Sequence, residues 1–431
     1  MTPSADVAQE QAVALIRLCA CLLYANGQTT RRVADDIARL GGAIGYSVAV
    51  FPNWSDLTIR LSPSNGPAAD TLLVLPVAPT AVDMNKVART QGVIDAVCAG
   101  RLGVGRAVET LGEIEKLAPS STLRFSVMAG IGAAALGVIF GGTEIVSLAL
   151  IALSAGVGAW LRRMIALRGG SILLQPLSAA LLAGLVGAAS AAGIAPATDA
   201  YLIALCPCMV LMPGPHFLNA ALDLAHVRIA LGRARLDYAL LLTLMICVGL
   251  IAGLSLGHRT LPPPAVTGPT PLAFDVLAAG LAVAAYGTFF SMPWRMLTIP
   301  VAIGMFAHAC RWVALEHGVS APLGAFIACL IVGLLVTPVT NRLRLPFAGF
   351  AFASVVSLIP GAYMFRMAAG LVAVTEAGTD GNIQLLMPPF VEGVTAGAIL
   401  LAMALGLVLP KLLLERLAPV LAGMTDASAS A

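Results

Sequence analysis

The chain has 431 residues, of which 59% are hydrophobic and only 11% are charged, whereas about a quarter of an average soluble chain is charged. This composition excludes an ordinary soluble protein and predicts an integral membrane protein. The net charge is only +3 and no basic run is present, so we expect no nucleic-acid partner.

The charged residues are concentrated toward the N-terminal end. Residues 1–124 hold 11 Lys and Arg and 11 Asp and Glu, about half of each total in under a third of the length. The predicted elements there are helices over 5–24 and 29–42, strands over 46–51, 57–61 and 71–77, and helices over 82–99 and 104–117. We therefore predict a small cytoplasmic α+β domain over residues 1–121.

Ten apolar segments follow, each close to the roughly twenty residues that cross a bilayer core. They lie at 124–141, 143–161, 171–192, 199–219, 236–256, 272–292, 296–315, 320–340, 346–367 and 391–412. A Pro-rich linker at 258–271, expected outside the cell membrane, separates five from five. The sequence thus predicts a membrane all-α bundle of about ten transmembrane helices, with five-helix repeats over 122–257 and 272–415 and a flexible tail over 416–431.

Basic residues predict the orientation of this bundle. With the N-terminal domain in the cytoplasm, the outer loops carry only Arg259, and the inner loops and tail carry eleven Lys and Arg. The eleven are Arg162, Arg163, Arg168, Arg228, Arg233, Arg235, Arg295, Arg342, Arg344, Lys411 and Arg416. Because Lys and Arg concentrate on the cytoplasmic side, we expect both termini in the cytoplasm.

A polar break interrupts the apolar sequence twice. The two versions, Leu211–Leu224 and Leu358–Leu371, align without gaps at an offset of 147 residues. Each contains a Pro-Gly pair that should break a helix; these pairs are Pro213 with Gly214 and Pro360 with Gly361. Because each half contains an odd number of spans, the second repeat should be inverted, as in many secondary transporters whose broken helices bind substrate. The alternative is chance similarity between helices rich in Ala, Leu and Gly.

Polar residues follow both breaks. His216, Asn219 and Asp223 share one helical face, because they are spaced at i, i+3 and i+7. Tyr363 and Arg366 occupy the equivalent positions to His216 and Asn219 in the second copy. Polar groups inside a bilayer are costly and should face a cavity or a partner. The breaks are therefore the predicted binding centre.

We predict two sets of functional residues. Substrate binding is expected from His216, Asn219, Tyr363 and Arg366, and proton coupling from Asp223, His308, Asp237 and Glu392. Arg366 would bind a substrate carboxylate through two hydrogen bonds. The structural alternatives are pairing of Asp223 with Arg228, outward snorkelling of Arg366, a core role for His308 and Tyr363, and interfacial helix N-termini at Asp237 and Glu392.

No motif of an enzyme is present. The sequence lacks HExxH, GxSxG, a P-loop and a complete GxGxxG after a strand. Its eight cysteines have no partner at zinc spacing. We therefore expect no enzymatic activity, no metal and no cofactor, and any transport would be coupled to an ion gradient or run downhill.

Small residues at helical spacing predict close helix packing. They form two seams, Gly249/Gly253/Gly257 and Gly393/Gly397. The seams could join helices within one chain or between chains, so a homo-oligomer is one alternative.

These motifs in this order resemble the threonine/serine exporter family. The resemblance covers residues 10–415 and rests on Tyr24–Val33, on the segment from Val82 to Leu111, on the Pro-Gly…Asn-x-x-x-Asp core at 213–223, and on Pro360-Gly361 with Tyr363, Arg366 and Glu392. The sequence departs from the family at one place, where Leu222 replaces a common Arg before the aspartate. This departure bears on the identity of the substrate rather than on the fold.

The resemblance implies export of threonine, serine or similar small metabolites across the bacterial inner membrane, driven by the proton-motive force. The implied partners are the substrate, protons and the lipid bilayer. Split relatives are associated with dicarboxylate export, so a succinate-like substrate is an alternative. A membrane scaffold or sensor that transports nothing is the alternative from another class.

Overall fold

The N-terminal part of the chain folds around a three-stranded sheet. The structure is a computed structural model and describes residues 5–64, 70–191, 193, 195–261, 270–343, 345–377 and 383–429. The first elements are α1 (Ala5–Ala25), α2 (Thr30–Ala43), β1 (Tyr46–Pro52), β2 (Asp56–Pro63), β3 (Thr71–Pro76), α3 (Met84–Cys98) and α4 (Val104–Glu115). Each of the seven elements predicted for this part is confirmed.

The sheet is an antiparallel meander in the order β1-β2-β3. Leu57, Ile59 and Leu61 alternate along β2 and are buried, because successive strand residues point to opposite faces. They join a core with α1 residues such as Leu15 and Ile16. The N-terminal part thus has a hydrophobic core of its own.

Long apolar helices make up the rest of the described chain. They are α5 (Thr122–Ile139), α6 (Ile145–Leu167), α7 (Leu174–Ser190), α8 (Ala197–Met209), α9 (Gly214–Ala225), α10 (Ile229–Leu256), α11 (Leu272–Phe289), α12 (Trp294–Glu316), α13 (Ala321–Leu343), α14 (Phe347–Val355), α15 (Gly361–Ala377) and α16 (Met387–Ala429). Seven are long and apolar enough to cross a membrane, or nine spans result if each of two bent pairs counts as one.

Every predicted apolar segment coincides with helical structure. The segments at 199–219 and 346–367 are the bent pairs, and 171–192 is the shorter helix α7 of 17 residues. Helix α16 continues to Ala429, where the sequence predicted a flexible tail, since its Leu- and Ala-rich sequence favours helix. Most of the predicted linker, residues 262–269, lies outside the described residues.

The two Pro-Gly breaks bend their helix pairs by similar angles. The bend between α8 and α9 is 56°, and the bend between the α14 segment and α15 is 61°. The breaks also pack reciprocally. A Cβ on Gly214 would lie 1.4 Å from the Phe352 ring of α14, and one on Gly361 would lie 3.3 Å from Met209 of α8. Each break therefore touches the helix that precedes the other break.

Glycines allow the last helix of the first half to lie directly on an earlier one. Cβ atoms on Gly249 and Gly253 of α10 would lie 2.3 and 2.2 Å from the carbonyl oxygens of Leu177 and Leu181 in α7. In the second half, α16 packs along α13 in the same way. The seam on α10 therefore joins helices within one chain. In the other predicted seam, a Cβ on Gly397 would meet nothing within 4 Å.

Candidate functional site

Asp223 lies at the junction of the N-terminal part and the apolar helices. The side chain is buried at the end of α9, and its Oδ2 lies 3.0 Å from Nε of Arg235. Arg228 approaches the other carboxylate oxygen at 3.5 Å. The hydroxyl of Thr30, the first residue of α2, donates to Oδ2 at 3.1 Å. One carboxylate thus links three elements.

Arg235 was interpreted from sequence as a loop cation, and this interpretation is wrong. The residue lies in the second turn of α10 and is fully buried, with its guanidinium 5.7 Å from the ring centroid of Tyr24. Burial raises the pKa of Tyr24 to about 12, an effect that the nearby Arg235 charge partly opposes. Arg235 therefore supplies a buried cation beside Asp223, although the residue that precedes Asp223 in the sequence is the apolar Leu222.

Asn219 lies near Asp223 on a polar cavity of about 40 Å³. Its Oδ1 is buried and has no hydrogen-bond partner among the described residues. The cavity is lined by residues of the N-terminal part and of both halves of the apolar part, including the basic residues Arg31, Arg32, Arg228 and Lys411. Asn219 and Asp223 therefore share a cavity, as their helical spacing predicted.

His216 faces a different cavity. Its ring stands edge-on to Tyr238 of α10 at a centroid distance of 5.0 Å. It lines a cavity of about 360 Å³ beside the first break. Although His216 lies on the same helix as Asn219, the two side chains do not share a cavity lining.

Arg366 lies in a third polar cluster, separate from those of Asp223 and His216. Its Nε and Nη2 donate to the two carboxylate oxygens of Glu392 at 2.7 and 2.8 Å, and Nη1 donates to the Tyr201 hydroxyl at 2.6 Å. The guanidinium also stacks 4.6 Å from the ring centroid of Tyr363. The structure thus joins Arg366, Glu392 and Tyr363, but it does not join them to His216 or Asn219 as the sequence predicted.

His308 lies in a fourth polar cluster. Its Nε2 is 2.8 Å from Oδ2 of Asp275, in the first turn of α11, and its Nδ1 is 3.0 Å from the Ser357 hydroxyl. All three residues are buried. Ser357 belongs to the short 3-10 turn that leads into the second break. A buried chain of acid, imidazole and hydroxyl therefore adjoins that break.

Two family models match the chain over most of its length. One, described as a threonine/serine exporter, matches residues 14–257. The other, "Threonine/Serine exporter, ThrE", matches residues 275–413. The chain belongs to the threonine/serine exporter family.

Among curated relatives of this exporter family, the "Probable threonine/serine exporter" of Mycobacterium tuberculosis is 27% identical over 345 residues. The match covers 77% of this chain and 63% of that relative, so the chain spans less than two thirds of the relative's length. No solved structure matches. The family assignment and the apolar helices together make this a multi-pass membrane protein.

Asp237 occupies a different environment from the other acids of this exporter-family chain. It is exposed, and among the described residues it pairs with Arg233, which is also exposed, at 3.7 Å. It was expected near the start of the helix, but α10 begins eight residues earlier, at Ile229. Among the described residues, no group of three or more His, Cys, Asp or Glu side chains is arranged to hold a metal ion.

Sequence reasoning missed several members of these clusters. Thr30, Asp275, Ser357 and Tyr201 were not singled out, because each meets its partner only through tertiary packing. The sequence offered one signal for Asp275, an acid a few residues inside an apolar segment, where a charge requires a partner. Nothing local distinguishes Thr30 from Thr29.

Proposed function

We propose that this chain is a secondary transporter that exports small polar metabolites, with threonine- and serine-type amino acids as the first candidates. The observation that carries the proposal is the reciprocal packing of the two Pro-Gly breaks, together with buried polar clusters at both. Broken helices that meet inside a membrane are typical of transporter binding centres. A plain membrane anchor would have no use for such costly buried groups.

The proposed architecture has ten spans in two inverted five-helix repeats. In support of it, the same helix pairs are packed in both halves: α5 with α6 and α11 with α12, and α7 with α10 and α13 with α16. The bends at the two breaks differ by only a few degrees. We propose that the chain lies in the bacterial inner membrane with both termini in the cytoplasm, where the N-terminal part would cover the inner mouth.

Proton coupling is proposed for the buried titratable groups. Asp223 would exchange a proton near the N-terminal part, and His308 near the second break, where Asp275 and Ser357 give it partners on both ring nitrogens. Glu392 would act with Arg366 on the opposite side from Asp223. Asp237 is the weakest member of the predicted set, because it is exposed to solvent or headgroups.

Arg366 is proposed to exchange partners during export. Its donors on the Glu392 side have the fork geometry that also fits a substrate carboxylate. A substrate carboxylate would then compete with Glu392 for the same guanidinium, and protonation of Glu392 would favour the substrate. Tyr363, stacked on the guanidinium, would form one wall of this subsite.

A dicarboxylate such as succinate is the second candidate substrate. The observation in its favour is the basic lining of the cavity next to Asp223, where four Lys and Arg side chains meet only two acids, Asp35 and Asp223. A doubly charged anion would be attracted to such a surface more strongly than a zwitterionic amino acid.

The function is tested by efflux from liposomes that contain the purified full-length protein. Vesicles are loaded with labelled threonine, serine or succinate, and efflux is followed with and without an imposed proton gradient. We expect threonine and serine to leave faster than from empty liposomes, with a rate that responds to the gradient. Faster succinate efflux would favour the second candidate, and no efflux of any of the three would refute the proposal.

A further inference from the structure

The cavity that contains His216 has the composition of a small-molecule site. We call it the break cavity, because Pro213 and Pro215 of the first break form one wall. Its volume of about 360 Å³ lies within the usual range of ligand sites, about 300–1,000 Å³. The other residues that the inference uses are Arg162, Gln175, His216, Tyr238 and the loop Thr80–Val82.

Arg162 is the unusual residue of the break cavity. The sequence placed it in an inner loop, but it lies inside helix α6, five residues before its end. Its Nε is buried and has no hydrogen-bond partner among the residues that the structure describes. Within the described part of the chain, no Asp or Glu pairs with it; its titratable neighbours are the like-charged Arg163 and the neutral side chains of Tyr238 and Tyr286.

Three other buried or half-buried arginines have partners in this structure. Arg235 meets Asp223, and Arg366 meets Glu392. Arg163, next to Arg162 in sequence, donates to the Ser120 carbonyl and stacks on Phe125. A cation buried without a counter-charge is costly. The cost is offset if the counter-charge arrives with a ligand.

The groups around Arg162 define the class of that ligand. A guanidinium fork fits a carboxylate, which it binds through two parallel hydrogen bonds. Nδ1 of His216 lines the same cavity and is buried without a partner among the described residues. With Gln175 and the Tyr238 hydroxyl nearby, it can bond a second polar group, such as a hydroxyl or an amine.

The N-terminal part closes one side of the break cavity. Met84, at the start of α3, is packed in the core of the apolar helices, and its backbone N donates to the Phe290 carbonyl at 2.7 Å. This anchor holds the preceding loop, Thr80–Val82, against the cavity. Thr80 and His216 therefore line the same cavity. The N-terminal part is thus a structural component of the site.

We propose that, while Glu392 occupies the guanidinium of Arg366 as in this structure, Arg162 binds the carboxylate of the exported metabolite in the break cavity, and His216 forms a hydrogen bond with a second polar group of that metabolite. The inference rests on the proposed function for the identity of the ligand, a small metabolite that carries a carboxylate and at least one further hydrogen-bonding group.

The test measures ligand binding by full-length protein in detergent, through the rise of its melting temperature with ligand concentration. The probes are L-threonine, L-serine and succinate. Each is compared with the amide in which an uncharged carboxamide replaces the carboxylate, for example L-threonine amide. We expect the amides to bind roughly tenfold or more weakly than the acids. This comparison uses the wild-type protein and does not depend on the folding of any variant.

Variants then assign the effect to Arg162. Arg162→Gln should weaken carboxylate binding by roughly tenfold or more and remove the preference for acid over amide. Arg162→Lys, which retains the charge without the fork, should have an intermediate effect. Arg163→Gln is the matched control, because it removes the adjacent cation that already has protein partners, and it should bind like the wild type.

Three outcomes would overturn the inference. They are equal binding of acid and amide by the wild type, unchanged carboxylate binding by Arg162→Gln, and an Arg162-dependent stabilisation by phosphatidylglycerol with none by the carboxylates. The inference and the proposed function can fail separately. Arg162-dependent carboxylate binding without efflux from liposomes supports the site and contradicts only the transport function. Efflux that Arg162→Gln leaves unchanged contradicts only the site.

Discussion

The guanidinium of Arg235 lies 3.0 Å from the carboxylate of Asp223, and both side chains are almost completely buried. The two residues come from different helices, and the pair sits where the N-terminal part meets the apolar helices. A buried ion pair adds little net stability, but removing one partner leaves an uncompensated charge. The stability of this region therefore depends on the presence of both charges.

We expect Asp223→Asn to destabilise the protein by about 3–5 kcal/mol, because it leaves Arg235 buried without a counter-charge. Arg235→Gln should cost less, because Arg228 still lies 3.5 Å from the Asp223 carboxylate. The double variant should be more stable than either single one. Melting temperatures of the purified protein measure both effects. If Asp223 also takes part in proton coupling, the double variant will melt near the wild type, but its efflux of substrate will not respond to a proton gradient. Single variants that melt like the wild type would contradict the buried-charge argument.

Thr30 joins the N-terminal part to this ion pair. Thr30→Val keeps the side-chain shape but removes the hydroxyl that donates to Asp223 at 3.1 Å, and we expect a loss of about 1 kcal/mol or more. Hydrogen exchange in α2 should increase accordingly. Thr29→Val is the control, since the Thr29 side chain makes no capping bond. Equal effects of the two substitutions would show that the Thr30 hydroxyl has no special role.

The apolar segments and the helix breaks could be predicted from the sequence, because each depends on residues that are close together in the chain. Apolar length determines where a span can lie, and the Pro-Gly pairs at Pro213 and Pro360 interrupt helices wherever they occur. The family resemblance rests on the same ordered motifs, and the family models confirm it. These observations were sufficient to predict the bent pairs and their polar faces.

Contacts between side chains that are far apart in the sequence could not be predicted in this way. Arg162 and Arg235 lie close to predicted helix ends, where a basic residue usually indicates a loop on the cytoplasmic side. Their burial follows from helix packing, which the hydrophobic pattern does not specify. The same holds for Asp275, whose partner His308 lies on the next helix. The pairing of Arg366 with Glu392 joined two candidates to which the sequence had assigned separate roles.

The Arg366 pair predicts a defect in transport that spares the fold. Arg366→Ala should strongly reduce threonine efflux, because Glu392 and the substrate would both lose their cation, while membrane insertion stays intact. Arg259→Ala is the control, since the exposed Arg259 lines the same cavity as Arg366 and Glu392. Efflux rates and the amount of protein in the membrane fraction are measured together. Unchanged efflux by Arg366→Ala would remove this residue from the transport path.

His308 predicts how export depends on the proton gradient. His308→Gln should abolish the response of efflux to the gradient while exchange of labelled for unlabelled threonine continues, because exchange needs no net proton movement. Asp275→Asn should have the same effect, since it removes the carboxylate 2.8 Å from the imidazole. His317→Gln alters an exposed histidine at the end of the same helix and should change neither rate. A His308→Gln protein that still responds to the gradient would exclude His308 from coupling.

The close contact between α7 and α10 predicts opposite effects for the same substitution at two glycines. Gly253→Ala places a Cβ 2.2 Å from the Leu181 carbonyl oxygen, so the helices must separate, at a cost of about 1–3 kcal/mol. Gly397→Ala meets nothing within 4 Å and should be neutral or stabilising by up to about 1 kcal/mol, because Ala favours helix over Gly. Melting temperatures distinguish the two cases. If Gly397→Ala proved as harmful as Gly253→Ala, Gly397 would have to contact something beyond the described residues, such as a second copy of the chain.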